Sequence, residues 1–366
     1  MGRIRDLVYS GQYKMRQRIA ARLFFSGGSS SHEGHLSAVL FVLSGLLGDS
    51  VMSVSAIASA RELWPGARIT VLGKTHNREL LKADPNIDEF YVCDADPFSL
   101  RRSAEIGELK TWLAGQGFDA AIILLGDQFA HLLARAGIPV RVGVKGTILE
   151  PCLTHAYEIG SPREWGTRER LNCLRVLGAE VANRVPKLYV DAEAAETAAS
   201  KLSKLGLSPG ERYIAFHPFG STSRQWWPME NIPEFLEQAE SQTGMRVVLL
   251  GGTETQAAET GTNGMIDTRG RLTIPELLAV IDGSEVVVTT DSGPFHIAGA
   301  LGKQIIGLFR KRRPEHAAAY PTARAVFGIN EKCNTDCEWD KCAADPCRQM
   351  ADIAAGKLFF DDDPSS

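Results

Sequence analysis

The sequence predicts an α/β protein made of two doubly wound parallel sheets, and three observations carry that expectation. Short apolar, β-branched runs alternate with longer helical segments along two separate stretches, one from His35 and one from Arg212. Glycines, prolines and small polar residues gather where these runs end, as they do at the carboxyl edge of an open parallel sheet. The 366 residues, 44% hydrophobic and 23% charged, suffice for two domains that each bury a core.

In chain order, the first 25 residues stand apart. Arg3, Arg5, Lys14, Arg16, Arg18 and Arg22 face one acid, Asp6, and Ile4, Val8, Met15, Ile19 and Leu23 recur at helical spacing. This pattern suits either a basic helix lying on an anionic membrane surface or a helix packed on the body. Ser26 to Ser31 reads as a flexible linker, so residues 1–34 form an N-terminal extension. Strands are expected at 36–43, 68–72, 89–92, 119–125 and 141–144, and helices at 50–63, 99–116 and 168–177. A connection is expected near Asn183–Pro186, giving a first domain over 35–190 and a second over 191–366. In the second, a helix at 192–204 precedes strands at 213–217, 246–250, 285–289 and 304–309. Helices at 233–242, 254–259 and 274–281 lie between them.

Composition excludes several classes. A net charge of −4 gives no whole-chain attraction to nucleic acid, and no basic patch interleaved with aromatics occurs in the body. No run of roughly eighteen apolar residues suggests a membrane span, and the N-terminus lacks a signal peptide's apolar core. The expected location is cytoplasmic, with peripheral attachment to the inner membrane if the basic helix binds lipid. Cys93, Cys152 and Cys173 are expected as buried reduced thiols.

Four segments carry chemistry. Thr289 to Lys303 places Asp291, Ser292 and Gly293 after a buried strand. Pro294 then sits at the first turn of a short apolar helix. Free N–H groups at such a helix start favour diphosphates, while the plainer reading is an Asp cap and a core histidine at His296. Leu43 to Ser50 (LSGLLGDS) puts Gly45, Gly48 and Asp49 in the first β–α turn, where Asp49 could equally be a helix cap. No G-x-G-x-x-G occurs there, which speaks against a dinucleotide-dependent oxidoreductase. Phe216 to Pro228 offers Ser221, Thr222 and the guanidinium fork of Arg224 as an anion-receiving loop, or else a surface loop with Trp226 and Trp227 at a domain interface. Gly251-Gly252-Thr253-Glu254 is a turn after another strand, in which Glu254 suits a first-turn helix acid.

TDSGPFHIAGALGKQIIGLF resembles the signature of glycosyltransferase family 9, the heptosyltransferase family of bacterial lipopolysaccharide assembly. Gln304 replaces the family's usual proline. LLGDS, WPGA and ITVLG resemble the family's N-terminal motif, and HPFGSTSRQWWP its H-P-G-x-x-x-x-x-K-R-W-P segment, with Phe219 interrupting the usual glycine. The resemblance implies a GT-B fold, two Rossmann-like domains facing across a cleft. It also implies inverting transfer of a sugar, typically heptose from ADP-heptose, to a hydroxyl of a glycan or glycolipid. On that basis Asp49 is the catalytic base. Gly48, Ser221, Thr222, Arg224, Glu254, Asp291, Ser292, Gly293, Pro294 and His296 contact substrate, and no cofactor is required for catalysis. A nucleotide-sugar epimerase of the same architecture and a non-catalytic sugar-nucleotide-binding protein remain open on sequence alone.

Cys333, Cys337, Cys342 and Cys347 place four of the seven cysteines within a fifteen-residue segment, 333–347. In a reducing compartment that clustering points to a structural tetrahedral Zn²⁺ or Fe site, with two disulfides or unliganded thiols as the alternatives.

Overall fold

The computed structural model describes residues 14–19, 22, 36–98, 102–125, 127–159, 166–256, 264–310, 320–328, 330, 333, 344 and 347–358. The chain divides into two compact units, Met1–Pro186 and Lys187–Ser366.

The first unit holds a six-stranded sheet in the order β3-β2-β1-β4-β5-β6. Its strands are β1 (Ala38–Val42), β2 (Arg68–Gly73), β3 (Glu89–Val92), β4 (Ala120–Ile123), β5 (Val140–Val144) and β6 (His155–Tyr157). Every pairing between neighbours is parallel. β1 lies in the middle, with Phe41 beside Val71 on one side and Ile122 on the other. All five β1 residues are buried, as expected of a strand covered on both faces.

The second unit repeats the plan, in the order β12-β11-β10-β7-β8-β9. Its strands are β7 (Tyr213–His217), β8 (Arg246–Leu249), β9 (Met265–Asp267), β10 (Val286–Thr290), β11 (Gln304–Phe309) and β12 (Ala323–Phe327). These pairings are also all parallel. In each unit the chain winds outward from a central strand, returns, and winds the other way. The two reversal points, between β1 and β4 and between β7 and β10, are where open α/β sheets form a crevice at their carboxyl edge.

Local chemistry sets the helix ends. Asp191 caps the Ala192–Lys204 helix by accepting from the Ala194 N–H at 3.0 Å. Thr273 and Glu276 form a capping box on the Ile274–Gly283 helix. Gly244 ends the Ile232–Thr243 helix in the left-handed region, with φ 62°, which a side chain would strain. Trp227 is fully buried in the second core and donates its indole N–H to the Ile353 carbonyl at 2.9 Å. It therefore ties the C-terminal segment to its own unit's interior.

Several elements differ from the sequence expectation. β6, β9 and β12 are three to five residues long and lack a clear alternation, so they escape pattern reading. The Thr75–Leu80 and Ala130–Arg135 helices, six residues each, are too short to show a period. The helix expected at 254–259 is a 3-10 turn, Thr253–Thr255, and 257–263 lie outside the described residues.

Cys93, Cys152 and Cys173 are free and buried, and loss of solvation raises all three thiols above their ordinary range. His131 is buried, stacks on Phe98 with ring centroids 4.5 Å apart, and leaves Nδ1 without a hydrogen bond. Burial pushes its pKa down to about 4. The folded ring stays neutral where the unfolded ring takes up a proton, so stability falls as the pH drops from about 6.5 toward 4. Replacing His131 by Gln is expected to remove ~1–2 kcal/mol of the stability difference between about pH 7 and pH 5, read from denaturant titrations at each pH. An unchanged pH slope would show that this ring does not set acid sensitivity.

Candidate functional site

At the first unit's reversal point the chain leaves β1 through Ser44, Gly45 and Leu46 and enters the Leu47–Leu63 helix. Ser44 Oγ donates to the Leu125 carbonyl at 2.8 Å, joining the turn after β1 to the turn after β4. A Cβ on Gly45 would lie 2.5 Å from the Asp49 Cβ and 2.8 Å from a Leu125 methyl. Glycine is thus what permits this close approach. His76 Nε2 lies 3.0 Å from the Gly45 carbonyl oxygen, and Asn77 Nδ2 donates to Ser50 Oγ at 2.7 Å. Gly48 and Asp49 fall in the first helical turn.

Asp49 Oδ2 accepts from the Leu46 N–H at 3.3 Å, so this side chain does act as a helix-start acid. Its other oxygen, Oδ1, lies 3.5 Å from an Arg170 terminal nitrogen. The Asp49 side chain remains 32% exposed. It is a fixed carboxylate with one open side, suited to taking a proton from a hydroxyl.

At the second unit's reversal point two expected segments meet. Thr290 Oγ1 donates to the Phe219 carbonyl, binding the turn after β10 to the turn after β7. Ser292 Oγ lies 3.3 Å from His217 Nδ1 and 3.1 Å from the Thr290 carbonyl oxygen. Ser292 occupies the cap position of the Gly293–Ala300 helix yet makes no side-chain cap hydrogen bond. Its hydroxyl is turned back toward the strand ends. Burial pushes the His217 pKa down to about 4, so this imidazole is neutral at pH 7.

Asp291 is exposed at the same edge, and Pro294 is buried in the first helical turn. His296 is buried and lies 3.1 Å, through Nδ1, from the Tyr320 hydroxyl, in the core position of the plainer reading. Ser221 and Thr222 are exposed, and Ser221 Oγ donates to Gln225 Oε1 at 2.6 Å. Arg224 is half-buried in the 3-10 turn Ser223–Gln225. Phe219 is 1% exposed, with its ring edge-on to Trp226 at 5.0 Å. The residue that breaks the glycine pattern is therefore part of the core under this loop. Trp227, considered for a domain interface, lies inside the second unit instead.

Glu254 is exposed, with its carboxylate folded over Gly252. Arg269, two residues past the end of β9, pairs with Asp267 at 2.8 Å and donates to the Thr255 carbonyl at 2.7 Å, which anchors the turn carrying Glu254. Sequence reading missed Arg269 because nothing in Asp267-Thr268-Arg269 marks a partner twelve or more residues away. It missed Arg170 for the same reason, since Arg170 stands 121 positions after Asp49.

The four-cysteine expectation finds no support here. Among the described residues no group of three or more His, Cys, Asp or Glu side chains could hold a metal ion. Cys347 is a buried free thiol and Cys333 is half-buried, while Cys337 and Cys342 lie outside the described residues.

Two parallel six-stranded sheets, each with its reversal point, make two Rossmann-like domains, and the fold is of GT-B type. The profile of glycosyltransferase family 9 (heptosyltransferase) matches residues 106–346, and the chain belongs to that family. Membership sets aside the epimerase and the non-catalytic binding protein. The chain is 26% identical over 291 residues to lipopolysaccharide heptosyltransferase 2 of Salmonella typhimurium, covering 74% of this chain and 81% of that one. Among solved structures it resembles a family 9 glycosyl transferase from Veillonella parvula, with TM-score 0.73, 21% identity, and 81% and 88% of the two chains covered. It also resembles E. coli ADP-heptose lps heptosyltransferase II, with TM-score 0.70, 20% identity, and 88% and 96% covered.

Proposed function

We propose that this glycosyltransferase moves heptose from ADP-heptose to a hydroxyl of a lipopolysaccharide-type glycan or glycolipid, with inversion at the anomeric carbon. The observation that carries the reading is the second unit's edge. An apolar helix start without a side-chain cap stands at the reversal point, tied to the loop that bears Arg224. Such a helix start and a guanidinium together favour a diphosphate. The choice of ADP-heptose is supported by the relatives, one of which is named for it.

In the proposed reaction the acceptor oxygen forms a bond to the anomeric carbon and gives its proton to Asp49. The bond from that carbon to the diphosphate oxygen breaks, and its electron pair leaves on ADP. The Gly293–Ala300 helix start and Arg224 hold the growing charge on the leaving group, so the step needs no cofactor. Asp291 orients sugar hydroxyls of the donor, Glu254 accepts from the ribose, and Ser221 and Thr222 line the diphosphate loop.

Peripheral attachment to an anionic, cytoplasmic membrane face belongs to the same proposal. In the helical segment at 14–19, Arg16 donates to the Phe98 carbonyl at 2.8 Å and Gln17 is buried, so these two residues face the body. Met15 and Ile19 are 63% and 46% exposed, beside the exposed Lys14 and Arg18. Apolar side chains flanked by cations suit a lipid headgroup layer, at about 1 kcal/mol per basic residue at low salt.

Two measurements check these assignments. Asp49→Asn should bind ADP-heptose as the wild type does and turn over about two to four orders of magnitude more slowly. Asp291→Ala and Arg224→Ala should each lose about 1.5–3 kcal/mol of donor affinity by calorimetry. Undiminished turnover in the first variant, or undiminished affinity in both others, contradicts the roles given. For the membrane, deleting residues 1–30 should abolish salt-sensitive binding to phosphatidylglycerol vesicles and spare donor binding. Equal vesicle binding with and without the segment would assign it to packing alone.

A further inference from the structure

Arg170 lies on the Gly166–Arg175 helix and is 4% exposed. A guanidinium that deep in a protein needs an anion or several hydrogen-bond acceptors around it, because the cost of removing its charge from water is several kcal/mol. Its carboxylate partner is Asp49, at 3.5 Å. Among the described residues Asp49 is its ion-pair partner, whereas the Cys152, Ile138 and Pro139 carbonyls receive the buried Arg141. Among the described residues the buried Arg170 Nε–H has no hydrogen-bond partner. The first unit thus holds an incompletely satisfied cation behind the Asp49 carboxylate at its reversal point.

We propose that Arg170 is a positioning residue for Asp49. This inference rests on the reading of Asp49 as the base. The Leu46 N–H holds one carboxylate oxygen and Arg170 approaches the other, from different elements. Between them they fix the rotation of the carboxylate about its Cβ–Cγ bond, leaving its open side for the acceptor hydroxyl. Arg170 itself is too buried to touch a ligand, so it acts through Asp49. Displacing a general base by even an ångström misaligns proton transfer while leaving a donor site on the other unit intact. The alternative is a tie between the Leu47–Leu63 and Gly166–Arg175 helices that matters for stability alone.

The test uses the full chain, ADP-heptose as donor, and as acceptor the glycolipid fraction of cells from which this gene is deleted. Arg170→Met should lower kcat about 10- to 100-fold, with KM and calorimetric affinity for ADP-heptose within about twofold of wild type. Arg170→Lys, which keeps the charge, should recover at least part of the lost rate. Residues that act as a unit are not additive, so Asp49→Asn combined with Arg170→Met should be no slower than Asp49→Asn alone. The double variant should also melt above Asp49→Asn, which leaves a buried cation unpaired. If Arg170→Met does not fold, the lysine and double variants still decide the matter. Wild-type kcat in Arg170→Met, or losses that multiply in the double variant, overturn the proposal. Wild-type turnover in Asp49→Asn would instead overturn the base itself. An inactive Asp49→Asn beside a fully active Arg170→Met would remove Arg170 alone.

Discussion

The proposed chemistry depends on the reversal of winding at the centre of each parallel sheet. Because parallel strands must be joined by crossovers, the connections from two adjacent central strands leave in opposite directions and open a crevice between them. The molecule fills these crevices with side chains and turns rather than with more sheet. Ser44 bridges the turns after β1 and β4, and Thr290 bridges those after β10 and β7. Each bridge is a hydroxyl on or beside a central strand donating to a carbonyl of the neighbouring turn. The turn that leads into the helix bearing Asp49, and the turns that carry Arg224 and Asp291, are therefore anchored at the strand ends.

The two crevices are equipped differently. In the first, negative charge is fixed at a helix start, where the helix dipole favours it by roughly 0.3–1 kcal/mol, and a buried guanidinium stands behind it. In the second, the helix start lacks a side-chain cap, because Ser292 turns toward Thr290 and His217. A helix start with its own carboxylate already in place has little to offer a diphosphate, whereas one without a cap has N–H groups to give. That contrast supports assigning the base to the first unit and the donor to the second.

Much of this was legible in the sequence. The β1, β7, β10 and β11 cores are β-branched or aromatic runs, and the glycine, aspartate and proline signals after β1 and β10 mark the turns that follow. Residues joined across long separations were not legible. Arg170 meets Asp49 only because two helices pack on one face, and Arg269 anchors the Glu254 turn through carbonyl contacts that have no sequence pattern. Two local readings were also incomplete. Asp49 is a helix-start acid and an ion-pair partner together, which a choice between cap and base did not anticipate. Phe219 reads as a break in a glycine motif, yet it is a core residue whose backbone carbonyl receives the Thr290 bridge. The short outer strands escaped because three to five residues are too few to show alternation.

The central claim is that the second unit's reversal point is the nucleotide-sugar site. A crystal structure of the full chain soaked with ADP tests it most directly. The account predicts density for the diphosphate at the start of the Gly293–Ala300 helix, with Arg224 within hydrogen-bonding distance and the ribose near Glu254. ADP bound at the first unit's edge, or on the second unit away from the β7 and β10 ends, would contradict it.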